Sequence, residues 1–134
     1  MKHVFITGVT GAIGSALVPL FLAEPDTRLS LLVRAKSQSD LEERVQELLC
    51  FWSIDPRNRA YTNRIRALRG DVSEPFFALA RADYERLTRE ITHVVHAAAN
   101  VKMTLLLEEA RASAVTSVRL ILELVEACAR QGVL

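Results

Sequence analysis

Gly8, Gly11 and Gly14 stand three residues apart and join two segments of opposite character. Ahead of them, Lys2 to Thr7 reads as a short strand whose compact apolar run, Val4-Phe5-Ile6, suits burial on both faces. Behind them, Ala12 to Ala23 reads as a helix, with Pro19 placed to kink or weaken it. A strand that passes into a helix through so short a turn needs glycine for the sharp change of direction and for close packing of the helix on what precedes it.

The rest of the chain repeats this alternation. Leu29 to Val33 is a second buried run, and Ser39 followed by Glu42 is a capping-box pattern. That pattern opens a helix over about Asp40 to Trp52, with Leu41, Val45, Leu48, Leu49 and Trp52 at helical spacing. Asp55 to Asn63 reads as a loop and Ile65 to Arg69 as a third strand. Glu74-Pro75 marks a loop or a helix start, and Tyr84 to Arg89 a short helix. Thr92 to His96 is the fourth strand, followed by a long helix from about Leu105 to Arg130 that stops at Gly132. Val115, Val118, Leu122, Val125 and Ala129 give that helix its expected apolar face. Strands alternating with helices predict an α/β fold: a Rossmann-type parallel sheet with helices on both faces and strand order 3-2-1-4.

In such a fold a glycine-rich turn between first strand and first helix is a phosphate cradle. Free amides at the helix start and the helix dipole both favour an anion there. The candidate residues are Gly8, Thr10, Gly11, Ala12, Ile13 and Gly14, with Thr7 and Thr10 available to hold the turn through their hydroxyls. Gly11 lets a pyrophosphate approach the backbone. No Gly-Lys-Ser/Thr follows, which excludes a Walker loop. An NAD site usually carries an acid about 20 residues past the loop. Here the second strand ends Val33-Arg34-Ala35-Lys36, so Arg34 is placed to grip a 2′-phosphate, with Arg44 and Lys36 as further cations. NADP is therefore expected over NAD. Asp71 and Val72, after the third strand, are placed to bond and wall an adenine. Ala97, Ala98 and Ala99, after the fourth, leave room for the cofactor backbone, and His96 reads as a packed strand-end residue.

Thr7-Gly8-Val9-Thr10-Gly11-Ala12-Ile13-Gly14, Leu31-Leu32-Val33-Arg34-Ala35, Gly70-Asp71-Val72, His96-Ala97-Ala98-Ala99-Asn100-Val101 and Glu108-Glu109-Ala110-Arg111-Ala112 occur in that order. Together they resemble the extended short-chain dehydrogenase/reductases, and within them the thioester-reductase domains of carboxylic acid reductases and peptide synthetases and the fatty acyl-CoA reductases. The resemblance implies NADPH-dependent hydride transfer to an acyl thioester carried on coenzyme A or an acyl carrier. It covers nearly the whole chain but only the first half of the family's domain. Residues 1–134 are thus expected to be the N-terminal portion of a longer reductase domain, ending before a fifth strand. The family's Tyr-x-x-x-Lys pair is absent, because Ile65 and Thr88 stand four residues after Tyr61 and Tyr84. Catalytic residues are therefore expected to be none, and the chain inactive alone. A helix asparagine common in relatives is replaced by Ala114, followed by Val115. A sugar-nucleotide epimerase or dehydratase, and a non-catalytic dinucleotide-binding module or gene remnant, stay open as alternatives.

Charge and composition narrow the remaining classes. Fourteen arginines and three lysines against 16 acids leave a net charge of +1, which gives no argument for nucleic acid or an anionic membrane. No apolar run reaches spanning length, Met1 leads straight into a strand, and a cytoplasmic location is expected. Cys50 and Cys128 read as buried free thiols, and His3, His93 and His96 lack metal-site spacing. Without a fifth strand, Thr92 to His96 forms a sheet edge open to self-association.

Overall fold

The computed structural model describes residues 1–98, 104 and 106–132. Strands β1 (Lys2–Thr7), β2 (Thr27–Val33), β3 (Ile65–Arg69) and β4 (His93–His96) form one sheet in the order β3-β2-β1-β4. Every pairing is parallel, and Thr7 lies opposite both Leu32 and His96. The helices are α1 (Ala12–Leu22), α2 (Gln38–Phe51), α3 (Arg59–Thr62), α4 (Arg81–Glu90), α5 (Leu107–Ala110) and α6 (Ser117–Arg130). The expected Rossmann-type fold and strand order are those observed.

Alternation along β1 builds two cores. Val4 and Ile6 point to one face, where they meet Leu29, Leu31 and Val33 and the helix residues Val18, Leu22, Leu41 and Leu48. Phe5 points to the other, where Leu32 and Leu68 meet Phe77, Leu87, Ile91 and the α6 residues Leu120, Ile121 and Leu124. With both faces covered, the strands need continuous apolar runs, which is why β1 was readable from Val4-Phe5-Ile6. Among the described residues, no helix is long and apolar enough to cross a membrane.

Several expectations are corrected. The cap of α2 is Ser37, whose side chain accepts from the Asp40 amide, so the helix begins at Gln38 and not after Ser39. The stretch expected as a loop contains α3, capped by Asn58. Cys50 is exposed, whereas Cys128 is buried. On the long helix the buried face is Ser117, Leu120, Ile121, Leu124 and Cys128; Val115, Val118 and Leu122 are exposed. The turn Arg111–Thr116 between α5 and α6 is π-helical, which the sequence did not signal. Helix α1 continues through Pro19 to Leu22. Ala99, Asn100, Val101 and Leu105 lie outside the described residues.

Two features of this frame carry measurable consequences. Phe76, Phe77 and Ala78 all have positive φ (54°, 57° and 54°), in a 3-10 turn whose Phe77 ring fills the second core. The turn is held because the Phe77 carbonyl accepts from the Asp71 amide at 2.9 Å. Left-handed backbone costs a residue with a Cβ roughly 1–2 kcal/mol. Ala78→Gly is therefore expected to raise stability by about 0.5–1 kcal/mol after the added freedom of the unfolded chain is set against it. A urea midpoint that moves down instead of up would overturn this reading.

The second feature is His3, only 8% exposed. Its Nε2 lies 2.8 Å from Ser30 Oγ, and its Nδ1 3.9 Å from the Glu90 carboxylate. Burial pushes its pKa below the ordinary 6.5; Glu90 pulls the other way, but Arg28, Arg66 and Arg86 reinforce the burial. The unfolded chain thus takes up this proton first. Stability is full above pH 6.5 and is lost as pH falls from there through the lower folded value. Urea titrations between pH 7.5 and 5.5 are expected to show that loss, and His3→Gln to reduce its slope, leaving the part due to His96, whose pKa burial also lowers.

Candidate functional site

Strands β1, β2, β3 and β4 end together at the carboxyl edge of the sheet, and the turn from β1 to α1 crosses that edge. Gly8 has φ +76°, and the turn closes where the Gly11 amide donates to the Gly8 carbonyl at 3.0 Å. A Cβ on Gly8 would lie 2.5 Å from the backbone of Ala97 and Ala98, and one on Gly14 would land on the Gly8 carbonyl. These two glycines therefore exist for backbone packing. Gly11 differs: its φ is −84°, and its nearest neighbour, the Gly8 carbonyl, stands 3.3 Å from a Cβ built there.

Gly11 is also the N-cap of α1. It supplies no side-chain cap, and the first turn contains no acid. The leading amides of a helix have no intrahelical acceptor. Gly11, Ala12 and Ile13 are exposed, Ile13 to 69%, so this end of the helix presents the positive pole of its dipole at the surface of the described residues. Thr10 is exposed beside them.

The hydroxyl of Thr7 serves β4 and not the turn itself. Its oxygen accepts from the Ala98 amide at 3.3 Å and lies 2.7 Å from His96 Nδ1. Burial lowers the His96 pKa, which favours the neutral ring. His96 is thus a packed, bonded strand end, as expected. Ala97 and Ala98 are half-buried against Gly8, and Ala99 lies outside the described residues.

Beyond β2, Arg34 is 81% exposed, and its Nε lies 3.7 Å from Asp71 Oδ2. Burial raises the Asp71 pKa, but donation from the Ser73 amide and hydroxyl (2.9 and 2.7 Å) and the charge of Arg34 outweigh it, so the carboxylate is held below its ordinary value. Val72 is half-buried against the second core. Arg44 is turned to its own helix: its Nε donates to Asp40 Oδ2 at 3.3 Å, and the same oxygen accepts from the Lys36 amide at 2.8 Å. The structure thus brings together the glycine turn, Arg34 and Asp71 at one edge, and gives Arg44 a carboxylate partner that the spacing did not reveal. Tyr61 lies on α3 beneath the Arg64 guanidinium, and Tyr84 packs on Phe76 and Phe77 with its pKa raised by burial. Ala114 sits exposed in the π-helical turn.

A doubly wound parallel sheet with a glycine turn at the carboxyl end of its first strand defines a nucleotide-binding α/β domain. The comparisons place it more closely: residues 6–134 match the NAD-binding family model described as male sterility protein, and the chain belongs to that family. It is 34% identical over 93 residues to a non-reducing polyketide synthase, pks11, of Talaromyces marneffei, covering 69% of this chain and 4% of that protein. It is 31% identical over 126 residues to human fatty acyl-CoA reductase 2, covering 90% of this chain and 24% of the relative. The solved terminal R domain of the myxalamid PKS-NRPS pathway superposes with a TM-score of 0.78 at 31% identity, over 92% of this chain and 31% of that one. The chain therefore spans less than a third of the length of each. The family is one of nicotinamide-dinucleotide-binding reductase domains.

The unequal roles of the glycines separate in stability. Gly8→Ala is expected to cost about 2–4 kcal/mol, since it combines left-handed strain with a backbone collision. Gly11→Ala is expected to stay within about 1 kcal/mol of the parent, the range of substitutions that break no special backbone. Equal losses in the two variants, read by denaturant unfolding, would show that the turn does not rest on the Gly8 contact.

Proposed function

We propose that the carboxyl edge of this sheet binds NADP(H), and that residues 1–134 are the cofactor-binding, N-terminal portion of an acyl-thioester reductase. The observation that carries this reading is the acid-free first turn of α1, without a side-chain cap, at the same sheet edge as the exposed Arg34 guanidinium. Gly11 and the amides of Ala12, Ile13 and Gly14 would hold the pyrophosphate, with Gly8 and Thr10 shaping the turn. Arg34 takes the 2′-phosphate, joined by Arg44 if it leaves Asp40. Asp71 and Val72 hold the adenine, and Ala97, Ala98 and Ala99 flank the ribose and phosphates.

Bound NADPH would supply hydride to the acyl carbon of a thioester, the C–S bond breaking so that coenzyme A or the carrier leaves as its thiol. This chain's residues bind and orient the dinucleotide. The proton donor comes from outside them, since Tyr61 and Tyr84 lie in α3 and α4 with no lysine four residues on. The likeness to fatty acyl-CoA reductase 2 and to the R domain supports the reductase class over the sugar-nucleotide one.

Titration of the purified chain is expected to give tighter binding of NADPH than of NADH. Arg34→Ala is expected to remove most of that preference, a loss of roughly 1.5–3 kcal/mol for each charge-assisted bond. Gly11→Val is expected to remove binding of both while leaving the fold intact. Equal affinity of the parent for the two cofactors would sink the 2′-phosphate assignment.

A further inference from the structure

Pro19 lies in the second turn of α1, and proline has no amide hydrogen. The carbonyl it deprives of a helical donor is that of residue 15, four positions earlier. Ser15 belongs to the first turn, where its own amide donates to the Gly11 carbonyl at 3.0 Å. The turn that presents the phosphate-facing amides is therefore joined to the rest of its helix across a missing rung, the place where helices kink.

The missing donor is supplied from another helix. The indole Nε1 of Trp52, at the carboxyl cap of α2, donates to the Ser15 carbonyl at 2.9 Å. Trp52 is the single tryptophan of the chain, and its ring packs partly buried against the first core. One hydrogen bond thus fills the vacancy left by Pro19. It also ties α1, which carries the phosphate turn, to α2, which carries Arg44.

We propose that Trp52 is a positioning residue for dinucleotide binding, its indole N–H standing in for the backbone donor that Pro19 removes and so holding the first turn of α1 in its binding orientation. This rests on the phosphate reading of the Gly8–Gly14 turn. When that bond is lost the first turn samples other orientations, and apparent affinity falls in proportion to the fraction that stays competent. The role is specific to the N–H group, and it becomes redundant once residue 19 has an amide hydrogen of its own.

The test is a double-mutant cycle on the purified chain, read by NADPH titration. Trp52→Phe is expected to weaken binding about threefold to tenfold, the range of one neutral hydrogen bond. Replacing Trp52 with benzothienylalanine, which keeps the ring shape and lacks the N–H, is expected to do the same and serves if the phenylalanine variant does not fold. Pro19→Ala alone is expected to bind within twofold of the parent, and Pro19→Ala combined with Trp52→Phe to recover to that level. A merely structural loss of indole packing would not be rescued by the alanine. Hydrogen exchange of the Ser15 amide without ligand gives a second readout, expected to be faster in the Trp52 variants and restored by Pro19→Ala. A folded Trp52 variant with parental affinity and parental Ser15 exchange, or a double variant that fails to recover, would overturn the proposal. A parent that binds no dinucleotide, with exchange behaving as expected, would instead remove the phosphate reading and reduce Trp52 to a helix tie.

Discussion

One backbone contact organises the site: the end of β4 passes so close to Gly8 that a Cβ there would meet Ala97 and Ala98. The same glycine's carbonyl accepts the Gly11 amide and lies where a Cβ on Gly14 would fall. Three segments of chain therefore converge on one residue without side chains between them. Thr7, one position earlier, reinforces the junction by bonding Ala98 and His96 across 89 or more positions of sequence. The start of α1 is thereby fixed over the edge of the sheet by backbone contacts, with no side-chain cap on its leading amides. The leading amides of a helix have no intrahelical acceptor, so they favour water or an anion there.

Much of this was legible in the sequence because the signals were local and redundant. The bounds of β1 and β3 follow from short runs ended by glycine, Thr7-Gly8 and Arg69-Gly70. The strand order follows from the alternation of elements. What failed was any choice between two equal local patterns. Ser37 with Asp40 and Ser39 with Glu42 both have cap spacing, and the backbone leaving β2 selects the first. The long helix carries two apolar stripes, Val115-Val118-Leu122 and Leu120-Ile121-Leu124, and only contact with Leu87 and Ile91 decides between them. A serine and a cysteine on the winning stripe disguised it. The positive φ of Phe76, Phe77 and Ala78 had no marker at all, because glycine, the usual sign, is absent there.

At the candidate site the residue types were legible and their partners were not. The spacing shows Arg34, Lys36 and Arg44 as a cluster of cations, and only the structure shows that two acids lie among them. Asp40 holds Arg44 and the Lys36 amide, whose donation lowers the Asp40 pKa most, and Asp71 stands beside Arg34. The Pro19–Trp52 relation was likewise hidden. Proline looked like a defect of α1 when its compensating donor lies 37 residues away in another helix.

These pairings rank the cations. The Arg34–Asp71 contact is long, at 3.7 Å, and its guanidinium is largely in water, so holding it contributes little and releasing it costs little. Arg44 is bound more closely, at 3.3 Å, to a half-buried carboxylate that also accepts a backbone amide. Freeing Arg44 would leave Asp40 with one donor fewer. On the proposed reading, an incoming anion would thus be met first by Arg34 and the amides of α1, since the Arg34–Asp71 contact is weak. Arg44 joins only where the new contact exceeds the one given up. On the proposed NADP(H) reading, a phosphate with two charges would meet that condition more readily than a hydroxyl, so the acids among the cations would sharpen the proposed preference instead of blunting it.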